Sequence, residues 1–193
     1  LSEEVSRLYG FDNIQSTTPY GRVMQGRQSD RQNFIDHIKH ILSGLGMTEE
    51  LSFCFTSVDM LDKMRVPADS KLRQAIPIMN PLTDECPLVR TSLLTSIMEN
   101  AVRNFSRKNM DIRLFDVAPV FYPKALPVTE LPDEVIKLAG LITGRRNEMG
   151  WNQGNDMVDF YDMKGVVEEL LKELSISKYT VEAGEHFALH PGK

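Results

Sequence analysis

Apolar residues recur along this chain at two spacings, and the switches between them divide it into helices and strands. Ser29, with Gln32 three residues on, forms a capping box. Behind it Phe34, Ile35, Ile38, Ile41, Leu42 and Leu45 share one helical face, and Gly44 and Gly46 supply the stop. Leu51, Phe53 and Phe55 then alternate with Ser52, Cys54 and Thr56, which predicts a half-buried strand. A short helix over Val58 to Met64 follows. Pro77, Pro81 and Pro87 bar any single regular element between Ile76 and Pro87. Ser92 to Arg107 reads as a second helix with Leu93, Leu94, Ile97, Met98, Ala101, Val102 and Phe105 as its stripe.

Asp111 to Tyr122 is a long strand with apolar residues on both faces, hence central, and Pro119 implies a bulge or an edge near its end. After a loop with three prolines, Glu134 to Thr143 returns as an antiparallel strand. Gly144 to Gly154 is polar and turn-rich. Asp159 to Leu174 is the cleanest helix: Met163, Val166, Val167, Leu170, Leu171 and Leu174 line one side, with Glu168 and Lys172 paired on the other. A last strand is expected near Tyr179 to Ala183. The fold class is α+β, a mainly antiparallel sheet flanked by helices.

The N-terminal stretch stands apart. Ser2 to Tyr9 reads as a short helix capped by Ser2, with Glu3 and Glu4 at its positive end and Gly10 ending it. From there to residue 28 the chain lacks periodicity, so a boundary divides 1–28 from 29–193. Both chain ends read as fragment boundaries.

Charge narrows the partners. Twenty-seven acids against 22 bases leave −5, a poor main surface for nucleic acid. The local cluster Arg103, Arg107, Lys108 and Arg113 suits a helix C-terminus as well as a phosphate. Cys54 and Cys86 lack the spacing of a disulfide framework or metal knuckle, which fits a reducing compartment. No apolar run reaches the roughly 20 residues of a membrane span.

The order of elements resembles the class II aminoacyl-tRNA synthetase core, and the residues narrow the likeness. Asn80-Pro81-Leu82-Thr83-x-Glu85, Val89-Arg90-Thr91-Ser92-Leu93-Leu94, Asn104-x-x-Arg107 and Arg113-Leu114-Phe115-Asp116-Val117 resemble the β subunit of bacterial phenylalanyl-tRNA synthetase. So do Leu138-Ala139-Gly140-Leu141-Ile142-Thr143-Gly144, Asp159-Phe160-Tyr161-Asp162-Met163-Lys164-Gly165, His190-Pro191-Gly192 and the opening Glu3-Glu4-Val5-x-Arg7-Leu8-Tyr9-Gly10.

The resemblance implies a cytoplasmic heterotetramer of two catalytic α and two β subunits that joins phenylalanine to tRNA with ATP and magnesium. Residues 29–193 would be a catalytic-like, inactive module packed on the α subunit, and 1–28 the tail of a preceding small domain. Glu3 and Glu4 would be magnesium ligands shared with the α subunit, with further acidic ligands upstream. From the residues alone, helix-dipole acids are the favoured reading, and the resemblance brings the two level.

No catalytic residue is assigned. Class II enzymes place Arg-x-Glu at the end of the first motif-2 strand, where the guanidinium neutralises the ATP α-phosphate. Here that position reads Val120-Phe121-Tyr122-Pro123-Lys124-Ala125, and a lysine after a proline does not reproduce a bidentate guanidinium. His37 with His40, and His186 with His190, have zinc-like spacing but lack completing ligands. Glu148, Asp156, Asp159 and Asp162 around Trp151 read as capping acids rather than a carboxylate pair. Because class II modules use the first helix and its strand for subunit contacts, Leu51, Phe53 and Phe55 are the interface candidates. The competing readings are an active enzyme with an altered ATP site and a free-standing synthetase paralogue that binds RNA or a regulatory partner.

Overall fold

In chain order the elements are α1 (Ser2–Tyr9), α2 (Asp30–Gly44), β1 (Thr48–Glu49), β2 (Phe55–Thr56), α3 (Val58–Lys63), β3 (Leu88–Val89), α4 (Leu94–Ser106), β4 (Ile112–Tyr122), β5 (Asp133–Thr143) and α5 (Phe160–Glu173). This computed structural model describes residues 1–22, 25–81, 83 and 85–190. Leu82 of the proline-rich motif and Pro191-Gly192 of the closing motif lie outside the described residues.

The architecture is α+β. A three-stranded sheet runs β1-β4-β5, and β2 pairs with β3 in a second, two-stranded sheet. β5 lies antiparallel to β4 along its whole length, from Ile112 opposite Thr143 to Tyr122 opposite Asp133. β1 joins the other side of β4 in parallel, with Thr48 opposite Leu114. The sheet is therefore mixed, with β4 at its centre as the two apolar faces require.

Those two faces bury different things. Phe115, fully buried, packs with Leu42 and Met47 of the α2 end and Leu170 of α5, and Ile38, Ile41, Val117 and Met163 close around them. Gly140 sits directly opposite Phe115, and a Cβ there would meet the terminal methyls of Met47 and Met163 at 3.5 and 3.6 Å. Its missing side chain leaves the space that the ring and thioethers fill. The opposite face of β4 carries Ile112 and Val120 but also Asp116, and α4 covers it with Leu93, Ile97 and Ala101.

Local rules fixed several boundaries. The Ser29–Gln32 capping box is formed in both directions, and Asp159 caps α5 through Tyr161 N and Asp162 N. Gly10, at φ 93°, ends α1. Pro119 makes no bulge: it pairs in register with Ile136. Its nitrogen faces away from β5, on the side where β1 has already ended, so no ladder bond is lost.

Elsewhere the structure corrects the pattern. Ser2 lies inside α1, where its carbonyl accepts a bond from the Ser6 hydroxyl, and no side chain caps the helix. Phe34, Met98, Val102 and Phe105 face solvent although their spacing placed them on buried stripes. On α4 the buried positions are Thr95, Ser96, Ile97 and Ala101. Lys172 pairs with Glu169 and Lys164 with Glu168, so the Glu168–Lys172 pair does not form. Tyr179 to Ala183 is not a strand; it runs exposed without ladder partners among the described residues.

The largest correction concerns 51–56. Only Phe55–Thr56 is strand, and the large apolar side chains are the outward set: Leu51 and Phe53 are 88% and 84% exposed, while Thr56 is buried. Among the described residues no helix is long and apolar enough to cross a membrane.

Candidate interface and the ion cluster behind it

Residues 51–55 form a ledge whose outer side is apolar. The rings of Phe53 and Phe55 stack at 6.4 Å, nearly parallel, and Leu51 extends the patch. A cavity of about 290 Å³ opens beneath them, bounded also by Cys86, Ser96, Glu99, Asn100 and Arg103. An aromatic pair facing water beside a mainly apolar pocket makes this ledge a candidate docking surface.

The inner side of the ledge is polar, and Arg90 explains why. It is fully buried. Its Nη1 donates to Ser52 Oγ at 2.7 Å, to the Phe53 carbonyl at 3.3 Å and to Ser96 Oγ at 3.4 Å, and its Nε donates to the Pro119 carbonyl at 3.0 Å. Ser52 in turn donates to Asp116 Oδ2 at 2.7 Å, and the Arg90–Asp116 ion pair spans 3.6 Å. A charge buried this deeply must be paired, so the segment turns its polar side chains inward and its large apolar ones outward.

Glu50 completes the cluster. It is 5% exposed, accepts a hydrogen bond from Asn100 Nδ2 at 2.7 Å, and leaves Oε1 without a partner among the described residues. Burial raises its carboxyl above the ordinary 4.5, with the Asn100 bond pulling down and Asp116 adding to the rise. A raised folded-state value means that Glu50 favours folding fully below pH 4.5 and loses that contribution as pH climbs through the raised value. Glu50→Gln, which does not titrate, is therefore expected to gain stability relative to wild type as pH increases across that window. Urea midpoints of both proteins from pH 4 to 8 test this; a pH-independent difference would contradict it.

The remaining sequence candidates fall elsewhere. Glu3 and Glu4 are exposed on α1, and the Glu4 carboxylate is held by Arg7 at 2.9 Å. Two exposed acids on adjacent helix positions diverge by about 100°, and one is already paired, so by themselves they do not converge on a magnesium ion. Among the described residues no group of three His, Cys, Asp or Glu is placed to hold a metal. His37, His40, His186 and His190 are all exposed.

Asp159 and Asp162 cap α5 and bind Arg146, which holds the Asp162 carboxyl below its usual range, while Trp151 lies 98% exposed. Burial, aided by Glu99 and Glu85, pushes the Cys86 thiol up, against a nucleophilic role. Arg103, Arg107 and Lys108 sit at the exposed C-terminal end of α4, whereas Arg113 donates to the Arg146 carbonyl on the sheet. Beyond β4, Lys124 pairs with Glu130 at 3.2 Å.

Sequence reading missed Glu50, Ser52, Arg90, Asn100 and Asp116 as a unit. A signal was present: Asp116 is the one acid in a largely apolar strand and Arg90 ends a short apolar run, and such charges need partners when buried.

Residues 14–193 match the family model described as the phenylalanyl tRNA synthetase beta chain CLM domain. The chain belongs to this family. The phenylalanine–tRNA ligase β subunits of Syntrophotalea carbinolica and Geobacter sulfurreducens are 36% and 38% identical to it over alignments of 195 positions that take in the whole of this chain. The chain spans about a quarter of the length of those curated relatives, 24% in each. Among solved structures, a pyrrolysyl-tRNA synthetase from Desulfitobacterium hafniense superposes with a TM-score of 0.55 at 13% identity, covering 78% of this chain and 47% of that one. At that identity the likeness is one of fold.

Proposed function

We propose that this chain is a non-catalytic assembly module of the β subunit of phenylalanine–tRNA ligase, docking through the Leu51–Phe55 ledge onto the catalytic α subunit. Two such αβ pairs form the working enzyme, which joins phenylalanine to tRNA with ATP in the cytoplasm. The observation that carries this reading is the ledge: three large apolar side chains turned to water on a backbone anchored from below. The strand end supports the absence of chemistry, because Lys124 after Pro123 stands where an active class II enzyme carries Arg-x-Glu.

The finer parts of the reading go with it. Residues 29–193 form the class II core, in a sheet that is mainly antiparallel when complete. Residues 1–28 close a preceding domain, in keeping with an α1 that buries none of its residues. Glu3 and Glu4 contribute to a magnesium site only together with donors from outside this chain.

Aminoacylation by an α subunit alone, by the full-length β chain carrying these residues, and by the two mixed tests the proposal. Activity only in the mixture, with no ATP bound by the β chain alone, is the expected result. ATP binding or adenylate formation by the β chain would overturn it.

A further inference from the structure

We infer that Arg90 and Ser52 are positioning residues for docking: with Asp116 they hold the Leu51–Phe55 ledge with its apolar side outward. The inference rests on the docking reading above and adds how the surface is preset. The ledge has little regular structure of its own, since only Phe55 and Thr56 pair with β3. Its other described polar anchors run to Arg90 and, through the Ser52 hydroxyl, to Asp116. The Arg90 backbone N–H donates to the Cys54 carbonyl at 2.9 Å, while its Nη1 reaches the Phe53 carbonyl and Ser52 Oγ.

Arg90 is itself fixed from the scaffold side. Its Nε is held by the Pro119 carbonyl, its own carbonyl accepts from Phe121 N at 3.1 Å, and Asp116 supplies the countercharge. Ser52 is the joint, because its hydroxyl accepts from Arg90 and donates to Asp116 at the same distance of 2.7 Å. Each anchor thus transmits the rigidity of β4 to a segment that lacks a ladder. A surface ordered before binding loses less conformational freedom when a partner arrives.

Ser52→Ala removes the joint without leaving a buried charge wholly unpaired. In the full-length β chain, hydrogen exchange within residues 50–56 is expected to quicken by about tenfold while β5 is unchanged, and affinity for the α subunit to fall by about tenfold. Leu170→Ala, a core change on the other face of the sheet, serves as the control: it lowers the melting temperature and leaves affinity intact where both proteins are folded. Unchanged exchange in 50–56, or an equal rise in β5, would overturn the inference. So would local loosening without loss of affinity while Phe53→Asp abolishes binding. If Phe53→Asp has no effect on α binding yet exchange rises only in the ledge, the docking reading fails and the positioning of the ledge stands.

Discussion

Replacing Arg90 by alanine is expected to destabilise the chain by about 3–5 kcal/mol, a large share of what a domain this size has in total. The guanidinium is completely buried, and it neutralises an Asp116 side chain only 3% exposed. Alanine leaves that carboxylate with the Ser52 hydroxyl as its one described partner, and strips donors from the Pro119 and Phe53 carbonyls. The pair itself is not worth that much. Among the described residues Arg90 Nη2 finds no partner, so part of the desolvation cost of the charge is not recovered there. Arg90→Met combined with Asp116→Leu removes both charges and is therefore expected to cost far less than Arg90→Ala alone. Urea denaturation of the single and double variants decides the matter: a single variant within about 1 kcal/mol of wild type would show that the cluster is not an obligatory pair.

Phe53→Asp has the largest expected effect on assembly. Phe53 is 84% exposed and stacked on Phe55, so the isolated chain gains almost nothing from it, and stability should be nearly unchanged. Bound to a partner, the ring would be desolvated in the centre of the patch, where aromatic anchors carry about 2–4 kcal/mol. A carboxylate there loses the apolar contact and adds the cost of burying a charge.

What was legible in the sequence was local. The Ser29–Gln32 and Asp159–Asp162 caps close over three residues, and the β4–β5 hairpin is written in two adjacent apolar runs, so each could be read without tertiary knowledge. Leu51, Phe53 and Phe55 are the interface candidates of the sequence and are turned to solvent, but the strand expected over 51–56 is reduced to Phe55–Thr56. Alternation says that two sets of side chains face opposite ways and does not say which is buried. That choice was made by Arg90 and Asp116, 38 and 64 residues from Ser52.

The same limit applies to α4, whose apolar residues outnumber the positions the sheet can cover. Met98, Val102 and Phe105 were left outside and Thr95 and Ser96 taken in. Tyr179 to Ala183 has strand-forming side chains, but among the described residues no neighbouring edge completes a ladder with it. Glu168 and Lys172 illustrate competition: each has a nearer rival of opposite charge, Lys164 and Glu169, and exposed ion pairs are too weak to resist exchange.

The most direct test of the account is the dissociation constant between an α subunit and the full-length β chain, measured for wild type and Phe53→Asp under conditions where both are folded. The account predicts a loss of affinity of about 30-fold or more, with no change in melting temperature. Equal affinities would show that the ledge is not the surface that meets the α subunit.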